Sequence, residues 1–68
     1  MRDPERLDDF YDRLKQLHKT YVPDWRFMQF AINFQNWLKI HYQIDGFYLE
    51  ENKMIEKVEE YVKWLMNW

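Results

Sequence analysis

The 68-residue sequence contains no cysteine, no serine, one threonine and one glycine. Without thiols there is neither a disulfide framework nor a thiolate metal site, and Thr20 is the only aliphatic hydroxyl that could act as a nucleophile. A lone glycine, Gly46, cannot build a glycine-rich phosphate cradle, and it leaves no flexible linker or internal domain boundary. The two histidines, His18 and His41, are too few for a dedicated zinc site without carboxylates. No apolar stretch approaches the roughly 20 residues that a bilayer requires. The opening Met1-Arg2-Asp3-Pro4-Glu5-Arg6 is charged and lacks the apolar centre of a secretion leader. These absences predict a single domain, residues 1–68, in a cytoplasmic setting, with no cofactor and no membrane span.

Charge of one sign is also scarce, since 10 Lys and Arg face 12 Asp and Glu for a net charge of −2. No third of the chain is strongly basic, and residues 45–68 carry three basic and six acidic side chains, which would repel a phosphate backbone. Nucleic acid is therefore not an expected partner. Aromatic residues, by contrast, make up 21% of the chain and hydrophobic residues 47%. A three-helix domain of this size buries about fifteen to twenty side chains well, so part of the apolar surplus is expected at the surface. Single exposed apolar residues are ordinary, and only a contiguous patch would imply a partner.

The fold class read from periodicity is all-α, with three helices at about 4–21, 24–39 and 51–66. Leu7, Phe10, Tyr11, Leu14, Leu17 and Tyr21 fall on one arc of the first helix, which Asp3-Pro4 can open and Val22-Pro23 can stop. The second helix, with Asp24 as its expected cap, is apolar on two sides. Phe27, Phe30, Ala31, Phe34, Trp37 and Leu38 form a broad face, and Trp25, Met28 and Ile32 form a second ridge. This double face predicts that the second helix lies at the centre of the fold. Residues 40–49, with the turn signal Asp45-Gly46, read as an ordered aromatic loop packed across it. The third helix carries Met54, Ile55, Val58, Tyr61, Val62, Leu65 and Met66 on one arc, and Trp64 falls outside that arc among charged residues.

Three segments together, Met1-Arg2-Asp3-Pro4-x-Arg6, Pro23-Asp24-x-Arg26-x-x-Gln29-x-x-x-Asn33 and Asp45-x-Phe47-Tyr48-x-Glu50, give the chain a pattern that spans nearly its whole length. It resembles a family of short uncharacterised bacterial and phage proteins. Met28 departs from the glycine that many of those proteins carry before the glutamine, and the aromatics near the C-terminus are a second departure. The resemblance implies a helical intracellular protein and brings no catalytic or cofactor residues.

The candidate partner-binding residues are Arg26, Gln29, Asn33, Asn36, Trp64 and Trp68. The first four place one cation and three amides along a strip between the two apolar faces of the second helix. An arginine fork and amides that both donate and accept suit directional recognition of a peptide or carboxylate. The same strip could instead brace the 40–49 loop, with Arg26 paired to Asp45 or Glu50. Trp64 and Trp68 belong to the residue type that dominates interface hot spots, although they could equally fold back over the core. Asp8, Asp9 and Asp12 alternate with Arg6, Arg13 and Lys15 and read as a solvated face, with Asp9 and Arg13 as an ordinary pair one turn apart. Glu50 and Glu51 are adjacent and point about 100° apart on a helix, which suits terminal charge and not paired acid and base chemistry. The expected function is a non-catalytic protein–protein interaction module, an accessory protein that occludes a partner surface. The alternative is a homo-oligomeric structural protein that buries its surplus aromatics by self-association.

Overall fold

The structure, a computed structural model, describes residues 3–67. Its elements in chain order are α1 (Arg6–Tyr21), α2 (Phe27–Tyr42), a single 3₁₀ turn (Gly46–Tyr48) and α3 (Glu51–Met66). The all-α, three-helix architecture is the one that periodicity predicts, and no strand occurs among the described residues.

At the start of α1, Asp3 Oδ1 accepts the Glu5 backbone N–H at 2.9 Å, and the N–H groups of Arg6, Leu7 and Asp8 bond to carbonyls three residues back. Asp3-Pro4 thus opens the chain into a tight first turn, and α-helical bonding takes over from Arg6. The apolar arc of α1 meets the core only partly. Phe10, Leu14, Leu17 and Tyr21 are half-buried, and no residue of the helix is fully buried.

Asp24 does not cap α2. The Trp25 N–H bonds to the Val22 carbonyl at 3.1 Å, which closes residues 22–25 into a turn and moves the helix start to Phe27. Gln29 Oε1 then accepts the Arg26 backbone N–H at 2.7 Å and satisfies one of the donors that a helix start leaves free. The helix continues beyond Lys39 to Tyr42 and ends at Gln43, whose φ of 57° is left-handed and whose N–H bonds to the Lys39 carbonyl at 2.9 Å.

The core joins Phe30, Phe34, Trp37 and Leu38 of α2 to Ile55, Val58, Tyr61 and Val62 of α3, with Val22 from the first connection. The centre of the fold is α3 and not α2, since α3 is the helix that packs against both of the others. It runs close along α1 and crosses α2, whereas the backbones of α1 and α2 barely approach one another. Two ion pairs fasten α1 to α3, Arg6 with Glu51 at 2.8 Å and Arg13 with Glu59 at 3.6 Å. Arg13 therefore reaches across to α3 instead of forming the expected pair with Asp9, and within α3 Glu59 also pairs with Lys63 one turn on at 3.4 Å.

The segment between α2 and α3 is ordered, but its rings do not lie across α2. Asp45 Oδ1 accepts the Phe47 N–H at 3.0 Å and caps the 3₁₀ turn, and Gly46 is the residue packed inward. Phe47 is 84% exposed and Tyr48 79%, while Ile44 and Leu49 contribute only partial cover to the core. The turn is held through its backbone, which leaves its two rings in solvent. Among the described residues no helix is long and apolar enough to cross a membrane.

Candidate functional site

The strip Arg26, Gln29, Asn33 and Asn36 does lie on the exposed side of α2, but its members have different neighbours. Gln29 is committed to the helix start. The Arg26 side chain makes no ion pair among the described residues, so the internal partners expected for it, Asp45 and Glu50, are not taken up. Asn33 and Asn36, one turn apart, face a groove between α2 and α3 with a volume of about 270 Å³. Trp37, Ile40 and His41 continue its α2 wall, and Tyr61 and Trp64 form the opposite wall. The structure thus gathers Asn33, Asn36 and Trp64 at one place, leaves Arg26 and Gln29 toward the other end of the helix, and has Trp68 outside the described residues.

Trp64 earns its place by packing. Its ring lies 6.2 Å from that of Trp37, 6.2 Å from Tyr61 in a stacked arrangement and 5.2 Å from His41 edge to face. The residue that periodicity places off the apolar arc is therefore half-buried, because α2 crosses α3 near its C-terminal end and covers one side of the indole. Trp37 itself is 6% exposed, and its indole N–H is buried with no acceptor among the described residues. A buried donor without a partner costs about 1–3 kcal/mol. Burial raises the Tyr61 phenol above its ordinary value, so this wall of the groove stays neutral across the physiological range. Beside the groove, Tyr42 donates to the Glu60 carboxylate, which raises the Tyr42 phenol above its ordinary value, and Lys57 sits 3.8 Å above the Tyr42 ring.

A second opening flanks α2 on the side of α1, where the two helices stand apart. This cleft of about 240 Å³ is lined by Phe10, Tyr11 and Leu14 of α1, by Phe27, Phe30, Ala31, Phe34 and Gln35 of α2, and by Gly46, Met54 and Val58. Phe27 and Ala31 were expected in the core on the broad face of α2. Phe27 is instead 61% exposed, since α1 leans on α3 and leaves the end of that face open.

The amide that braces the loop is Gln35, which is not part of the strip. Its Nε2 donates to Asp45 Oδ1 at 2.7 Å and its Oε1 accepts the Gly46 N–H at 3.0 Å. These bonds, led by the one from the Phe47 N–H, hold the Asp45 carboxyl below its usual range. A Cβ on Gly46 would come within 2.5 Å of Gln35 Oε1, so the absence of a side chain there is what permits the brace. The sequence signal for this role is that Gln35 is the one amide of α2 on the flank of Phe27 and Ala31, away from the strip. Asp8, Asp9 and Asp12 are exposed, and among the described residues no group of three acidic, histidine or cysteine side chains is placed to hold a metal ion. No protein-family model, curated protein or solved structure matches the chain.

Proposed function

We propose that the chain is a small non-catalytic interaction module, a cytoplasmic accessory protein that docks on a partner protein through the groove between α2 and α3 and covers that partner's surface. The observation that supports this reading most is the meeting of Asn33, Asn36 and Trp64 on the walls of one groove. Aromatic walls bury area at little entropic cost, and the amides offer both donors and acceptors for the polar atoms of a peptide segment. An arriving backbone carbonyl fits this chemistry. The groove has no serine or cysteine, and among the described residues His41 and Tyr61 are its titratable groups, which suits recognition more than bond making.

The test is capture of partners from host lysate by the wild type and by the variant Asn33→Ala/Asn36→Ala. Both positions are exposed, so the double variant should keep its helicity and melting temperature. A captured protein that is identified, purified and bound about tenfold more weakly by the double variant supports the reading. Equal binding by both forms removes the groove from the mechanism.

A further inference from the structure

We infer that the apolar cleft between α1 and α2 is the seat of a second copy of this chain, in a two-fold dimer that leaves the α2/α3 groove free. Three observations lead there. The first is what the cleft accepts. Its walls are apolar apart from the Tyr11 hydroxyl and Gln35, and the Gln35 amide is already bonded on both sides to Asp45 and Gly46. A charged or strongly polar occupant would lose its hydration with little to replace it. An apolar cavity of about 150 Å³ is enough to hold a benzene ring, so this volume of about 240 Å³ admits an aromatic side chain.

The second observation is that the chain carries such rings beside the opening. Gly46 lines the cleft, and the next two residues, Phe47 and Tyr48, stand 84% and 79% exposed with their rings 5.0 Å apart, edge to face. At the rim itself, Tyr11 is 57% exposed and Phe27 61%. Protruding rings on the residues that follow a lining residue of an apolar cleft give one chain both a knob and a hole, which is what a self-complementary two-fold interface requires.

The third observation is area. The chain exposes 5365 Å², whereas a folded monomer of its mass exposes about 4,800 Å². Its radius of gyration is 12.0 Å against about 11 Å for a typical domain of this length. The excess of about 600 Å² approaches the ~800 Å² that each partner buries in a standard stable interface.

The experiment is the mass of the full chain by light scattering or sedimentation equilibrium between about 1 µM and 1 mM. A rise from monomer to dimer is expected, and Phe47→Ser should weaken it about tenfold or more, without change in helicity because the Phe47 side chain already lies in solvent. Ala31→Phe, which fills the cleft from within, should weaken it to a similar extent. The pair Asn33→Ala/Asn36→Ala should leave the dimer unchanged, so failure here is separate from failure of the groove. A monomer at every concentration overturns the inference, as does a dimer that survives both Phe47→Ser and Ala31→Phe. So does a monomer whose Phe47→Ser variant loses a partner protein instead, which would assign the cleft to that partner.

Discussion

On one flank of α2, Asn33, Asn36 and His41 face the rings of Trp64 and Tyr61, while on the other Phe27, Ala31 and Phe34 face Tyr11 and Leu14. The same sixteen-residue helix supplies a wall to both, and the two openings differ in chemistry because they differ in neighbour. Toward α3 the helices cross and press aromatic rings together, so the space that remains is bordered by the polar strip. Toward α1 the helices stand off, and the residues left uncovered are members of the core face itself. A groove of the first kind offers directional donors and acceptors through its amides, whereas a cleft of the second kind offers only shape and apolar area.

Phe34 lines the cleft and packs ring to ring against two residues of the groove wall, Tyr61 at 5.7 Å and Trp37 at 6.1 Å, so it supports both openings. Phe34→Ala should erase the distinction by costing about 3–5 kcal/mol, enough to leave so small a domain largely unfolded in a urea or thermal melt. Gly46→Ala separates the flanks instead. Its new methyl group would collide with Gln35 Oε1 and loosen the cleft side alone, at about 1–3 kcal/mol. In a Gln35→Ala background the same substitution should cost much less, and an equal cost in both backgrounds would show that the Gln35 contact is not the obstruction.

The smallest expected effect is on pH. Because the folded Asp45 carboxyl is held below its usual range, its contribution to stability is full above about pH 4 and is lost as the pH falls through the lowered value. Asp45 is fully exposed, so the effect should be local: the Gly46 and Phe47 amide resonances move on acidification and the groove resonances do not. Asp45→Asn should remove that titration.

Much of this molecule is legible in its sequence where the deciding forces are local. The span of α3, residues 51–66, follows from acidic residues at its start and an unbroken apolar arc, whereas α1 begins at Arg6, two residues later than the Asp3-Pro4 signal places it, because a tight turn over residues 3–5 comes first. The start of α2 was misread by three residues because Asp24 has the chemistry of a cap, while the Val22–Trp25 turn that displaces it depends on how the chain leaves α1. In the candidate site, the spacing of Asn33 and Asn36 and the odd position of Trp64 were visible. That they meet was not, since it requires α2 to cross α3 at that level.

The sequence by itself determined three amphipathic helices, a surplus of apolar rings beyond what their faces can bury, and a polar strip on the second helix. Periodicity and capping act over a few residues, so one strand of text carries them. Only the tertiary structure decided that α3 is the hub, that Gln35 and not the strip braces the loop, and that Phe27 and Phe47 stand in solvent. Those outcomes turn on which helix faces meet and how far apart the axes lie, and such a choice is made by packing between residues distant in the chain.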